Sequence, residues 1–479
     1  MNKKLFYLLG ICVIMGGCSL IPEYKQPEAP VPQIWPGGPA YEETGARQDT
    51  PFAADLRWRE FFNDESLRQV INMALQNNRD LKVAALNVER ARALYRIQRD
   101  DLLPDVAAGG SYYKERVPAD LSYTGHSMHA EQYQVGLGVS SWEIDFFGRI
   151  RSLEKRVLEE FFATEQARRS AQIVLVSEVA TNYITLAGDR ENLQLAQSTL
   201  QSQQDTYHLI QRRFEVGLAP ELDLRQVQTR VDSARVDVAR FTELTARDQN
   251  ALNLLVGSPV PADLLPDTLG SIIPLADVSP GMSSAVLLQR PDILQTENLL
   301  KAANANIGAA RAALFPSISL TTSIGLASAD LSDLFTSDQG TWTFVPGVSI
   351  PIFDSGLKSA VKVSEVERQI ALVQYERAIQ SAFREVADAL AKKGTIGDQM
   401  AAQQSLVEAN EATYRLSTMR YEKGIDTYLS VLDAQRSLYA ARQGLIGVRL
   451  DRFGNQIQIY AVLGGGGDVP EQDGEGDAS

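Results

Sequence analysis

Pro316-Ser317-Ile318-Ser319-Leu320-Thr321-Thr322-Ser323-Ile324-Gly325-Leu326 decides how the rest of this chain is read. Ile318, Leu320, Thr322, Ile324 and Leu326 alternate with Ser317, Ser319, Thr321, Ser323 and Gly325, so a strand here has one apolar face and one small polar face. A second run sets Trp342, Phe344, Val348, Ile350 and Ile352 on one face, which predicts strands at about 316–327 and 341–353. An earlier pair is expected at about 105–117 and 131–144, where Tyr133, Val135, Leu137 and Val139 alternate with Gln134, Gly136, Gly138 and Ser140. Two environments fit this pattern: an outer-membrane strand with lipid on one side, and a soluble antiparallel sheet with one wet face. Beyond residue 17 no apolar run reaches the roughly eighteen residues of a membrane helix. The longest candidate, Ala171 to Ala187, carries Glu178 and Asn182. Any membrane crossing therefore falls to strands. Four strands cannot close a barrel whose smallest form has about eight, so insertion requires several copies.

The strand pairs sit at matched places in a chain that is written twice. Asn78-Arg-Asp80-Leu opens a helical stretch ending at Pro104, and Arg290-Pro-Asp292-Ile opens another ending at Pro316. Asp80 falls on Asp292, Ala91 on Ala303, Arg99 on Arg311; further along, Tyr207 falls on Tyr414 and Arg213 on Arg420. Each half reads helix, two strands, very long helix, tip, return helix. The division expected is a first repeat over 58–257, a linker over 258–280 and a second repeat over 281–464. Long helices are predicted at about 149–215 and 222–256, then at about 357–421 and 427–462. In the first of these, bulky residues recur at 176, 179, 183, 186, 193, 196, 200, 207, 210 and 214, a heptad period that implies coiled-coil packing. Sixty-odd residues at ~1.5 Å rise give a length on the order of 100 Å. A filamentous coiled coil is the plain alternative, but filaments do not contain two strand pairs at matched positions.

Two tips join the long helices. Phe214-Glu-Val-Gly217 precedes Leu222 in the first half, and Tyr421-Glu-Lys-Gly424 precedes Leu429 in the second. Leu429, Asp433 and Arg436 are spaced i, i+4, i+7 and share one helix face. These tips are read as the narrow mouth of a channel. The competing reading of Asp433 and Arg436 is an ordinary solvated i, i+3 pair.

The N-terminus is a targeting segment. Lys3 and Lys4 precede an apolar stretch from Leu5 to Met15, and Met15-Gly-Gly-Cys18-Ser19 follows. Small residues before a Cys resemble a bacterial lipobox, which makes 1–17 a removed signal peptide and Cys18 the lipid attachment. Ser19 in place of Asp resembles the outer-membrane sorting preference. Pro-rich residues up to 57 read as an extended strap. Gly-rich and acidic residues 465–479 read as a disordered tail. With a formal net charge of -14 over 479 residues, nucleic acid is a poor partner.

Taken together, these residues resemble the TolC-like outer-membrane efflux proteins, in the lipoprotein branch that serves RND-type multidrug pumps. The marks are the lipobox, Asp100-Asp-Leu-Leu-Pro104, Trp142-Glu-Ile-Asp-Phe-Phe-Gly148-Arg, Gln289-Arg-Pro-Asp292, Ala313-Leu-Phe-Pro316, Pro351-Ile-Phe-Asp-Ser-Gly356 and Leu432-Asp433-Ala-Gln-Arg436. The resemblance implies a mainly α fold with a membrane β-barrel: a homotrimer whose twelve strands form one outer-membrane barrel, continuous with a long periplasmic α-helical barrel. It implies a passive exit duct for drugs or other small molecules, anchored by lipid in the outer membrane of a Gram-negative bacterium and reaching into the periplasm. It implies as partners a periplasmic adaptor protein and a proton-driven inner-membrane RND transporter. Leu429, Asp433, Arg436 and Tyr421 match the periplasmic gate, and Gly217, Leu218, Gly424 and Ile425 the tips that meet the adaptor. Some members carry a second Asp where this chain has Ser430, so the acidic constriction is a single ring of Asp433. An ABC-type protein secretion duct is the runner-up, and a structural envelope coiled-coil lipoprotein the reading from another class.

No enzyme is expected. His126, His129 and His208 are the three histidines. His126 and His129 are placed in the loop over 118–130, with no Cys or second cluster to complete a metal site. Asp145 and Asp354 read as helix-terminus residues rather than a catalytic pair. No phosphate-binding loop is present, and no cofactor is expected beyond the lipid on Cys18.

Overall fold

A computed structural model describes residues 19–44, 52–53, 56–279, 281 and 283–467. Cys18, the signal segment and the tail from 468 onward lie outside the described residues. The helices are α1 (Trp58–Phe61), α2 (Glu65–Asn77), α3 (Arg79–Asp100), α4 (Arg149–Glu215), α5 (Glu221–Val256), α6 (Pro291–Ala312), α7 (Ser355–Glu422) and α8 (Tyr428–Val462). The strands are β1 (Val106–Val117), β2 (Met128–Ile144), β3 (Ser317–Ser328) and β4 (Gly340–Ser349). The chain divides into two compact units, and each draws on both halves of the duplication.

Among the described residues, the first unit comprises 19–28, 87–165 and 295–375 and holds one antiparallel sheet in the order β1-β2-β3-β4. Opposite one another stand Leu137 and Ile324, and Ile324 and Trp342, so the apolar residues gather on one face. Within β2 the apolar parity changes from odd (Tyr133 to Val139) to even (Trp142, Ile144). A bulge absorbs that change. Val139 pairs with Thr322 and Trp142 with Leu320, leaving Ser140 and Ser141 across from Thr321 alone. Ser141 takes φ 53°, and its N–H donates to Thr321 Oγ1 at 3.1 Å. The bulge thus keeps Trp142 and Ile144 on the apolar face.

Two sequence expectations are corrected here. β4 ends at Ser349 rather than 353, because Pro351 has no N–H for a ladder. His129 lies within β2, opposite Arg116, rather than in the loop, because pairing continues to Val117–Met128. Asp145 and Asp354 close the strand-to-helix corners: Asp145 accepts from Ile150 and Arg151 N–H at 3.1 and 2.9 Å, and Asp354 from Gly356 and Leu357 at 2.8 and 3.2 Å. The strap is pinned in this unit by Tyr24, whose hydroxyl donates to Glu297 at 3.0 Å, and by Asn304, which donates to the Pro22 carbonyl at 2.8 Å.

Among the described residues, the second unit comprises those within 29–86, 166–294 and 376–467. Its core stacks Phe61 on Tyr460, ring centroids 4.0 Å apart, with Phe62 edge-on to Phe61. Of the heptad positions on α4, Val176, Val179, Tyr183, Leu186, Ala196 and Ile210 are buried. The duplication appears here as chemistry. Asn78, which caps α3 at Leu81 N–H, donates to the Leu255 carbonyl at the end of α5 at 2.8 Å. Its counterpart Arg290 donates to the Val462 carbonyl at the end of α8, also at 2.8 Å. In each half, the residue opening one helix satisfies the open C-terminus of another. The first residues of the expected tail are also ordered: Gly465 N–H donates to Tyr460 O at 2.9 Å, and Gln172 donates to the Gly466 carbonyl at 3.0 Å. Buried Gln172 has its amide held by that strand of glycines, which explains why the chain does not fray at 464.

Candidate functional site at the helix tips

Both tips lie in the second unit, and both are built by the same turn. Gly217 and Gly424 adopt φ +75° and +70°, where a side chain would be strained. Gly217 N–H donates to Phe214 O at 2.9 Å and Leu218 N–H to Arg213 O at 2.7 Å. In the second tip Gly424 N–H donates to Tyr421 O at 2.9 Å and Ile425 N–H to Arg420 O at 3.0 Å. This is the paired C-terminal motif that ends a helix on a left-handed residue. It leaves Leu218 and Ile425 pointing into solvent, 77% and 59% exposed.

Below the turns one apolar cluster holds the four helices. Ile210 of α4, Val227 of α5 and Tyr428, Val431 and Leu432 of α8 are buried together, with Tyr414 and Tyr421 of α7 packed against them. Burial pushes the Tyr428 hydroxyl up to about 12, so it stays neutral at any physiological pH. With Tyr428, Val431 and Leu432 turned inward, Leu429, Asp433 and Arg436 remain exposed on α8. Asp433 and Arg436 form an i, i+3 ion pair at 3.0 Å, both more than half exposed.

Tyr421 is not part of that pair. Its hydroxyl accepts from Arg213 Nη1 at 2.9 Å, and the Arg213 guanidinium lies 5.7 Å from its ring. Tyr421 therefore ties the end of α7 to the end of α4. A third contact locks the second tip: Arg420 grips Asp426 with two hydrogen bonds, 2.6 and 3.0 Å. The Arg420 bond holds the Asp426 carboxyl below the ordinary aspartate range. The contact is therefore present at every pH above that range, and is lost only as pH falls through the depressed value. Sequence reading singled out neither Arg213, Arg420 nor Asp426 as site residues. The signal was there in the first two, since Arg213 and Arg420 are repeat partners. Asp426 carried none, because its contact depends on the turn between the helices.

The sequence profile of the family described as "Outer membrane efflux protein" matches residues 70–258 and 282–465. The chain is 48% identical to the toluene efflux pump outer membrane protein TtgC of Pseudomonas putida, over 97% of this chain and 96% of that one. It is equally similar, 48% over the same shares, to the antibiotic efflux pump outer membrane protein ArpC of the same species. Among solved structures it resembles the open state of the Neisseria gonorrhoeae MtrE outer membrane channel, with a TM-score of 0.84 and 35% identity over 94% of this chain and 98% of that one.

Proposed function

We propose, for a chain that belongs to the outer membrane efflux protein family, that three copies form a passive export duct whose helix tips are its periplasmic gate. The chain is a non-enzymatic efflux channel of the Gram-negative outer membrane. Trimer formation is supported by what one chain leaves open. β1 and β4 are both sheet edges, with ladder groups that only another copy can pair. On α7, Val363, Val366, Ile370 and Val373 form a heptad stripe that is exposed in the single chain. Three copies of four strands give a barrel of twelve.

The gate reading rests on one observation: α8 buries one face firmly and leaves Leu429, Asp433 and Arg436 exposed. Around a threefold axis these become three rings at the mouth. Exposed ion pairs and single exposed hydrogen bonds are weak contacts, so a tip held by Asp433–Arg436, Arg420–Asp426 and Arg213–Tyr421 is opened by modest differential binding. A periplasmic adaptor, docking on the exposed turns at Gly217, Leu218, Gly424 and Ile425, supplies that binding. A proton-driven inner-membrane transporter supplies the cargo and the energy. Relatives named for toluene and for antibiotics support small molecules as cargo. Lipid attachment at Cys18 belongs to the same reading.

Docking is tested by placing a photocrosslinker on Leu218→Cys in cells, with Cys18 blocked by its lipid. The expected product is an adaptor of a proton-driven pump. Capture of an ABC-exporter adaptor moves the reading to protein secretion, and an uncrosslinked tip in an assembled complex overturns tip docking.

A further inference from the structure

A cavity of about 80 Å³ lies beside the Asp433–Arg436 pair, between α4, α5 and α8 of the second unit. Its wall is polar: Thr199 and Gln203 from α4, Arg230 and Ser233 from α5, Arg436 and Tyr439 from α8. Three of these groups, on Gln203, Arg230 and Tyr439, are unsatisfied in a way folded proteins avoid. Gln203 is buried, only 5% exposed, yet its Oε1 has no hydrogen-bond partner. The Arg230 Nε is likewise buried without a partner, and no carboxylate among the described residues pairs with Arg230. Buried groups of this kind mark an unseen water or ion. The cavity exceeds by several-fold the ~15 Å³ that one water needs.

Charge selects between the occupants. The carboxylate lining the cavity, Asp237, is already paired with Arg240 at 3.2 Å, and Asp433 is paired with Arg436 at 3.0 Å. Arg230 is left over, giving the surroundings one unbalanced positive charge. A cation has no place there. The remaining wall offers donors: the Ser233 hydroxyl, the free guanidinium edge of Arg436, and the Gln203 amide, while the Thr199 hydroxyl already donates to the Leu195 carbonyl at 2.8 Å. Which amide atom of a glutamine faces a cavity is fixed only by its partner, and half a turn presents Nε2 in place of Oε1.

We propose that this cavity is a binding site for one small inorganic anion of the halide kind, held chiefly by Arg230, Ser233 and the Gln203 amide. Such an ion joins three helices just behind the tip and balances the charge of Arg230. The site stands on the side chains of one chain, and its three chief ligands are not among the gate residues.

The probe is bromide, which mimics chloride and scatters anomalously. Crystals of the trimeric channel soaked in sodium bromide are expected to show an anomalous peak within hydrogen-bonding reach of Arg230 and Ser233. In solution, the thermal midpoint is expected to rise from sodium gluconate to sodium chloride at equal ionic strength, saturating with chloride concentration. Arg230→Gln and, independently, Ser233→Ala should remove most of that rise. A cavity that holds only water in bromide overturns the proposal. So does a chloride shift that never saturates or that is unchanged in the variants. If Arg230→Gln fails to fold, the bromide peak in the unaltered channel and the Ser233→Ala titration still decide.

Discussion

Arg290→Met should lower the thermal midpoint of the detergent-solubilised channel sharply, with a loss on the order of 2–4 kcal/mol. The Arg290 side chain is only 10% exposed and makes four hydrogen bonds. It donates to Asp292 at 3.0 and 2.7 Å, to Glu385 at 3.0 Å and to the Val462 carbonyl at 2.8 Å. These partners lie on α6, on α7 and at the end of α8. Methionine keeps the packing volume and removes the cost of burying a charge, which limits the loss. It also strands the Val462 carbonyl and frees two carboxylates that are 38–39% exposed and regain water. The larger part of the effect is therefore the broken tie between helices. Asn78→Ala, the equivalent change in the first half, removes one neutral bond and one helix cap, for ~1–2 kcal/mol. Unfolding of such assemblies is often irreversible, so the comparison is made at one scan rate. Equal midpoints for Arg290→Met and the parent would contradict the assignment of Arg290 as the tie.

Gly325→Ala should abolish assembly of the folded, heat-modifiable trimer, while Gly109→Ala leaves it intact. Gly325 faces Gly136 across the β2–β3 ladder. A Cβ on Gly325 would stand 2.1 Å from the Val135 carbonyl oxygen and 2.7 Å from Gly136 Cα. One on Gly136 would stand 2.6 Å from the Ile324 carbonyl oxygen. These are backbone atoms and cannot step aside as a flexible side chain does, so the strands must part and lose ladder bonds. Gly109 has nothing within 4 Å of its added Cβ. Unheated gel electrophoresis separates the outcomes: a monomer band for Gly325→Ala and a trimer band for Gly109→Ala. A stable trimer from Gly325→Ala would show that the close approach of the two strands is dispensable.

Much of this fold was legible because its repeats are physical. Period-two alternation from Ser317 to Leu326 and heptads along α4 each state which face is buried. Gly217 and Gly424 each mark the residue that best fits a left-handed helix end. The β2 bulge was also written in the sequence, as the change from odd to even apolar positions between Val139 and Trp142. Chain-distant polar contacts were another matter. Arg213 meets Tyr421, and Arg290 meets Glu385, only after both halves fold. Asp426 reads as one more acidic residue until the turn brings it to Arg420. The duplication divides the sequence into two successive repeats, while the compact units cut across them. β2 of the first repeat pairs with β3 of the second, and each unit takes residues from both.

The gate is the part most exposed to contradiction. In a single chain, Asp433 and Arg436 form the same 3.0 Å pair that any solvated helix could carry. What distinguishes a gate is its effect on current. The deciding measurement is the ion conductance of purified trimers in a planar lipid bilayer, for the parent and for Asp433→Ala. A duct constricted by an Asp433 ring should pass a low resting current that rises severalfold in Asp433→Ala. Folded trimers that carry no current in either form would contradict the duct, and an unaltered resting current in Asp433→Ala would contradict the gate.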